Sequence, residues 1–197
     1  MLQPRQRFSA FVLMAFCAMS YAKEADTTFQ VEEITTFSGI PWGMTQLDAD
    51  NLLDTITSGE LYRVNITSGE RSLINGSPAI AVFGQGGLLD VSLSPDYAET
   101  GWVYFTYSHP TKEGATTALA RAKMSENTLT DWQDLLITDA SSNRGQHFGS
   151  RIAFDDDGHV VFSIGDRGDR ANAQDLTNHA GKILRLDLDG SVPGENP

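Results

Sequence analysis

Short apolar or alternating runs, each bounded by turn-forming residues, are the feature that most restricts how this chain can fold. Runs of this kind are typical of strands in antiparallel sheets. They cover residues 61–66, 88–93, 102–107, 152–154, 160–164 and 183–188, with turn pairs such as Asp157-Gly158 and Asp189-Gly190 between or after them. No long stretch has helical periodicity, although residues 125–136 could form one or two helical turns. The sequence therefore predicts an all-β fold.

The strand-like runs fall into three similar units that begin at Gly43, Gly87 and Gly149. Each unit is a hairpin followed by a further strand, and the starts are separated by 44 and 62 residues. The blades of a β-propeller repeat about every 40 to 50 residues, and insertions lengthen some of them. The repeat therefore favours a β-propeller. A β-sandwich of short strands is the alternative.

The number of units sets an expectation about how much of a propeller is present. Residues 23–197 are enough for three to four blades, whereas a closed ring has roughly 4 to 8. The final residues, 193–197, form a turn-rich segment without a closing strand. We therefore expect residues 23–197 to be a partial β-propeller domain, truncated at its C-terminus.

The first 22 residues have the pattern of an export signal. Residues 1–7 carry two arginines and no acidic residue, residues 8–19 are apolar, and small residues stand at Ser20 and Ala22. The apolar stretch is shorter than the ~20 residues that span a bilayer. The sequence predicts a cleavable signal peptide over residues 1–22, no membrane span after cleavage, and a periplasmic or secreted protein.

The charge balance argues against nucleic acid as a partner. The chain has 26 Asp+Glu against 14 Lys+Arg, a net charge of −12. Removal of residues 1–22 would also remove two arginines and Cys17, which leaves a net charge of −14 and no cysteine for a disulfide. Phosphate backbones are bound by a basic face. No cluster of Lys and Arg is present beyond Arg167 and Arg170.

Two loops contain the residues with the clearest chemical potential. The first, residues 84–87, has three glycines around Gln85, whose amide both donates and accepts hydrogen bonds. In the second region, His147 precedes one predicted strand and Asp166 follows its hairpin partner. An antiparallel return brings both to the same sheet edge. A carboxylate held against one imidazole nitrogen suits the other for general-base catalysis; a capped surface histidine is the alternative.

Several motifs, in this order, resemble those of one family. They are Pro41-Trp42-Gly43-Met44, Gly84-Gln85-Gly86-Gly87-Leu88-Leu89, His147-Phe148-Gly149-Ser150-Arg151, Gly165-Asp166-Arg167-Gly168 and Gly181-Lys182-Ile183-Leu184-Arg185-Leu186. Together they resemble the soluble PQQ-dependent aldose sugar dehydrogenases of the glucose/sorbosone dehydrogenase family. The resemblance covers about residues 29–197 and the N-terminal half of a family member. It implies a six-bladed β-propeller in the complete family fold.

The resemblance also implies a reaction and roles for individual residues. The reaction is oxidation of the C1 hydroxyl of an aldose to a lactone, with hydride transfer to pyrroloquinoline quinone (PQQ) and then electrons to an external acceptor. His147 matches the general base and Asp166 the carboxylate that orients it. Gln85, Arg151 and Gln174 are expected to bind the cofactor.

Other implied features lie outside this chain. The Ca²⁺ ligands and the arginines that hold the quinone carboxylates are expected in the C-terminal half of a family member, so no metal ligand is assigned here. A homodimer is possible for the full-length form.

Two positions depart from the family pattern. Gln146 stands where one branch of the family has an acidic residue. Ala171 stands where the family has a glutamine, and Gln174 is the candidate for that role, which the sequence leaves open.

Two other functional classes stay open at this point. The first is a Ca²⁺-dependent propeller lactonase or hydrolase, which needs several acidic or amide ligands on the propeller axis. The second is a non-catalytic binding propeller or an inactive fragment. Activity that requires quinone distinguishes the dehydrogenase from both.

Overall fold

The computed structural model describes residues 29–196, and β-strands dominate this part of the chain. The strands are β1 (Pro41–Gln46), β2 (Asn51–Ile56), β3 (Leu61–Asn65), β4 (Arg71–Ile74), β5 (Leu88–Leu93), β6 (Trp102–Thr111), β7 (Gly114–Ser125), β8 (Thr128–Ile137), β9 (Ile152–Phe154), β10 (His159–Ser163) and β11 (Ile183–Asp187). The helices are α1 (Tyr97–Thr100) and a 3₁₀ helix, Arg170–Gln174. The all-β prediction is confirmed. The predicted signal peptide, residues 1–22, lies outside the described residues.

The strands form three antiparallel sheets in which neighbours in sequence are neighbours in space. The strand orders are β1-β2-β3-β4, β5-β6-β7-β8 and β9-β10-β11, named here blades 1, 2 and 3. Consecutive meanders of this kind are the blades of a β-propeller, whereas a β-sandwich has two facing sheets. The three sequence units therefore correspond to three propeller blades, and the sandwich alternative is wrong. Over residues 29–196 no helix combines the length and hydropathy needed to cross a membrane.

Two buried threonines join neighbouring blades. Thr55 in β2 donates a hydrogen bond from Oγ1 to the carbonyl of Leu89 in β5, at 2.5 Å. Thr106 in β6 donates in the same way to the carbonyl of Ser150, which precedes β9, at 2.8 Å. Both threonines are fully buried. The second strand of one blade is thus tied to the first strand, or the loop before it, of the next blade.

Blade 2 supplies side chains to the core on both of its faces. Successive side chains of a strand point to opposite faces of the sheet. Phe105 accordingly packs with Leu53 and Leu61 of blade 1. Its neighbour Tyr104 packs with Val160 and other residues of blade 3. Because apolar surface is buried on both faces, the central blade and its neighbours stabilise one another.

The helical potential expected for residues 125–136 is wrong, because most of this stretch is strand β8. Hydrogen bonding to β7 overrides the local helical pattern. The β7–β8 pairing contains two register irregularities, and Asp131 adopts a positive φ of 53° that a regular helix does not allow. The irregular strand places the ring of Trp132 against that of Phe105, with 5.3 Å between centroids.

Candidate active site

The loop before β5 and the loop between β8 and β9 are joined by hydrogen bonds. The backbone N–H of Gln85 donates to the carbonyl of Gly145 at 2.7 Å. In return, the amide of His147 donates to Oε1 of Gln85 at 2.8 Å. Gly84 has φ +59°, and a Cβ there would lie 2.1 Å from the carbonyl oxygen of Gly145. Only glycine permits this close approach, which explains the glycine at position 84.

His147 and Asp166 lie together, as the antiparallel return of the hairpin predicts. Nδ1 of His147 is 2.6 Å from Oδ1 of Asp166, and the amide of Gly168 donates to the same carboxylate oxygen at 2.8 Å. The hydrogen bond with His147, followed by that of Gly168, lowers the pKa of Asp166 below its ordinary value. The carboxylate is therefore ionised at neutral pH and can orient the imidazole.

The backbone at His147 turns its side chain away from the protein interior. His147 has φ 57°, in the left-handed region, while the next side chain, Phe148, is buried and packs edge-on against Phe83. The carbonyl of His147 comes so close to Gly165 that a Cβ at 165 would lie 2.2 Å from it. The loop that carries His147 and the chain leading to Asp166 are therefore in tight contact.

The imidazole of His147 has one nitrogen engaged and the other accessible. Nδ1 faces Asp166, and the His147 side chain is 49% exposed. Among residues 29–196, none makes a hydrogen bond to Nε2. A histidine held in this way by a carboxylate can accept a proton at Nε2 from a hydroxyl group that lies within hydrogen-bond distance.

Arg151 lies in a separate cleft, paired with Asp90. Nη1 of Arg151 is 2.9 Å from Oδ1 of Asp90, and the side chains are 72% and 4% exposed, respectively. Oδ2 of Asp90 accepts the backbone N–H of Ile152 at 2.7 Å. Burial raises the pKa of Asp90, and these two partners oppose that shift. The cleft, with a volume of about 400 Å³, is lined by Trp42, Asp90, Gly149, Ser150, Arg151 and Ser163.

Gln174 is a predicted site residue that makes no hydrogen bond with His147 or Asp166 in the part of the chain that the structure describes. It ends the 3₁₀ helix, is exposed, and makes no side-chain hydrogen bond with another described residue. From the same helix, Asn172 instead reaches the pair, because its Nδ2 donates to the carbonyl of Asp166 at 3.1 Å. Asn172 was not predicted from the sequence, since only the folded loop shows which polar residue of the helix faces the site.

The burial of Arg167 was not predicted from the sequence either, where this residue stood out as part of a motif. Its side chain is buried, 2% exposed, behind the loop that carries His147. Burial lowers the pKa of Arg167 to about 10, and the nearby charge of Asp166 opposes the shift. An arginine inside a polar loop has no periodicity that distinguishes it from an exposed one.

Metal ligation was not predicted for this part of the chain. Among the described residues, no three His, Cys, Asp or Glu side chains come together in a way that could hold a metal ion. The Ca²⁺ ligands implied by the resemblance, and their position in the half of a family member that this chain does not match, stay a prediction.

Replacing Asp166 with asparagine should remove a pH-dependent part of the stability. The pKa of Asp166 is lower in the folded protein than its ordinary value of 3.8. Such a group stabilises the fold above the unfolded pKa, and this contribution is lost as the pH falls through the folded pKa. The free energies of unfolding in urea of wild type and Asp166→Asn should therefore differ above about pH 5 and converge as the pH falls below 3.8.

The matched control for this experiment is Asp156→Asn in the exposed turn between β9 and β10. It should change the unfolding free energy little at any pH. A difference between wild type and Asp166→Asn that stays constant from acid to neutral pH would show that the His147–Asp166 contact does not form.

Comparison with known proteins agrees with this fold. The sequence profile of the Glucose / Sorbosone dehydrogenase family matches residues 38–197. The aldose sugar dehydrogenase of Escherichia coli strain K12 is 33% identical over 195 residues, which are 97% of this chain and 53% of that protein. Quinoprotein glucose dehydrogenase B of Acinetobacter calcoaceticus is 28% identical over 96% of this chain and 45% of that protein.

Solved structures give the same result. The apo form of the soluble aldose sugar dehydrogenase from E. coli matches with a TM-score of 0.77 at 33% identity, over 81% of this chain and 47% of that one. The PQQ-bound form of an aldose sugar dehydrogenase from Streptomyces coelicolor matches with a TM-score of 0.76 at 28% identity, over 85% and 50%. The chain spans about half the length of the relatives it matches. From the profile match and the relatives together, the chain belongs to the glucose/sorbosone dehydrogenase family.

Proposed function

We propose that the intact protein containing this chain oxidises the C1 hydroxyl of an aldose to a lactone and uses PQQ as hydride acceptor. The observation that carries the proposal is the imidazole of His147, held by Asp166 at 2.6 Å through Nδ1 while the side chain stays half exposed. Family membership and the names of its relatives, which include sugar dehydrogenases and a quinoprotein, support the same chemistry.

In this mechanism, residues of this chain hold the catalytic histidine in place and remove a proton from the substrate. Nε2 of His147 takes the proton from the C1 hydroxyl, so that the C1–O bond becomes a carbonyl as the C1 hydrogen leaves with its electron pair. PQQ, when bound, supplies the acceptor for that hydride, since no amino-acid side chain accepts one. Asp166 stabilises the imidazolium that forms, and Gln85 holds the backbone of His147 through its amide oxygen.

The described residues fit part of a planar, carboxylated cofactor. The guanidinium of Arg151 is largely exposed and makes one contact, with Asp90, so its other N–H groups can bind a carboxylate. Nε2 of Gln85 is a second donor beside His147, since the hydrogen bond to the His147 amide uses Oε1. We propose that these two residues contact the cofactor. Binding by Gln174 stays a prediction.

The proposal is tested by reconstituting the intact protein, purified without cofactor, with PQQ and Ca²⁺. Reduction of an artificial electron-acceptor dye by aldoses should appear only when PQQ is added, with the lactone as product. Lactone hydrolysis that needs Ca²⁺ but no quinone would instead identify a propeller lactonase. Sugar binding with no turnover under either condition would identify a non-catalytic propeller.

Three further expectations accompany this function. We propose that the protein is exported to the periplasm or secreted, that an external electron acceptor reoxidises the quinone, and that the full-length form can pair as a homodimer. N-terminal sequencing of the mature protein should place the first residue after Ala22, and sedimentation should give the mass of a dimer. A retained N-terminus or a strictly monomeric species would contradict the first and third.

A further inference from the structure

Asp166 and Arg167 are consecutive, but their side chains go to opposite sides of the chain. Asp166 reaches the half-exposed imidazole of His147, whereas Arg167 is buried. Arg167 has φ 57°, a left-handed conformation that is uncommon for a residue other than glycine. A side chain oriented in this way costs backbone strain and desolvation of a charge, so the surrounding contacts have to offset both.

Those contacts are backbone carbonyls of the loop that carries His147. Nη1 of Arg167 donates to the carbonyl of Gln146, the residue before His147. Nε donates to the carbonyl of Ala140 at 3.3 Å, and Nη2 donates to that of Arg144 at 3.4 Å. All three acceptors lie between β8 and β9. One guanidinium therefore satisfies three carbonyls of the same loop.

The flat face of the Arg167 guanidinium packs on the residue that follows His147 in the chain. Cζ of Arg167 lies 3.6 Å from the centre of the Phe148 ring, and Phe148 is the residue after His147. Nη2 also reaches the carbonyl of Ala115 in β7 at 3.4 Å, which ties this assembly to blade 2. Both neighbours of His147 are thus fixed by a single side chain, by a hydrogen bond on one side and by stacking on the other.

The charge of Arg167 is not used in an ion pair. No carboxylate among residues 29–196 lies within salt-bridge distance of its guanidinium. A planar guanidinium can donate in several in-plane directions and stack on an aromatic ring at the same time, whereas a lysine ammonium cannot. These contacts therefore require the planar shape of the arginine side chain as much as its positive charge.

From these contacts we infer that Arg167 is a positioning residue for the reaction, which sets the loop so that Nδ1 of His147 meets Asp166. The inference rests on the proposed function only for its kinetic consequence. Because Arg167 is joined covalently to Asp166 and by hydrogen bonds to the loop of His147, it fixes the two partners relative to each other. Arg167 itself does not reach the reacting atoms.

The test compares Arg167→Lys with Arg170→Met in the intact protein. Arg170 is exposed, and its charge also lowers the pKa of Asp166, so its loss is a control for electrostatics without loss of the loop contacts. One readout is the downfield imidazole N–H resonance of His147 in the cofactor-free protein, assigned by its absence in His147→Asn. The second is kcat of the reconstituted enzyme, with KM measured separately.

In a folded Arg167→Lys protein we expect the resonance to disappear and kcat to fall roughly 100-fold, the loss typical of a catalytic group displaced by about 1 Å. KM should change far less. Arg170→Met should retain the resonance and the wild-type kcat. A folded Arg167→Lys variant with the wild-type resonance and kcat would overturn the inference. If the resonance is lost while the wild type shows no sugar oxidation, the proposed function fails and the positioning role stands.

A second variant covers the case in which Arg167→Lys does not fold. Phe148→Leu keeps the guanidinium and its carbonyl partners but removes the aromatic ring on which it stacks. A folded Phe148→Leu protein with a weakened or absent resonance supports the inference. A folded Phe148→Leu protein with an unchanged resonance, together with an unfolded Arg167→Lys, would show that Arg167 serves stability alone.

Discussion

Replacing His147 with asparagine should lower kcat for aldose oxidation about 1000-fold, within the range that general-base catalysis contributes. Asparagine is a suitable change for two reasons. It tolerates the left-handed φ of 57° at this position, and its amide can still donate to Asp166 in place of Nδ1. The substitution therefore removes Nε2, the nitrogen that would accept the hydroxyl proton. The measurement is dye reduction by the PQQ-reconstituted protein at saturating aldose.

The control is the same chemical change at His109, which lies in β6 and contacts Tyr107 rather than the site. His109→Asn should retain the wild-type kcat. A general base typically contributes a factor of about 100 or more to kcat. If His147→Asn kept more than roughly a tenth of the wild-type kcat, its loss would be too small for a general base, and another group would have to be the base. Equal losses in the two variants would point to a general effect on folding.

Replacing Asp90 with alanine should lower the free energy of unfolding by about 2–3 kcal/mol. The carboxylate is buried and joins blade 2 to blade 3, because it accepts the backbone N–H of Ile152 at 2.7 Å and pairs with Arg151 at 2.9 Å. Alanine leaves that N–H without its acceptor. Arg151 is mostly exposed, so its charge returns to water at little cost. Urea unfolding of the intact protein measures the change.

Two variants accompany Asp90→Ala. Asp90→Asn keeps an oxygen that can accept the N–H of Ile152, so it should recover part of the loss. Asp156→Ala removes a carboxylate from an exposed turn and should have almost no effect. If Asp90→Ala unfolded at the same urea concentration as Asp156→Ala, the contact between β5 and β9 would contribute nothing to stability.

The arrangement of strands was predictable because it depends on local information. Period-two alternation and turn residues mark β5 and β9 in the sequence and in the structure with the same bounds, 88–93 and 152–154. The proximity of His147 and Asp166 was also predictable, because a hairpin returns the chain to the edge from which it started. Residues 125–136 were misjudged, because most of them pair with β7 as strand β8, a contact that a local helical pattern does not reveal.

The remaining features of the site depend on contacts between residues far apart in the chain. The hydrogen bond of Gln85 with the His147 amide spans 62 positions, and the pairing of Arg151 with Asp90 spans 61. The burial of Arg167 likewise follows from how two loops meet. By itself the sequence determined the family, the blades and the two loops that carry the candidate catalytic pair. Only the tertiary structure decided which side chains hold that pair, because hydrogen bonds and burial depend on distance in space rather than on spacing along the chain.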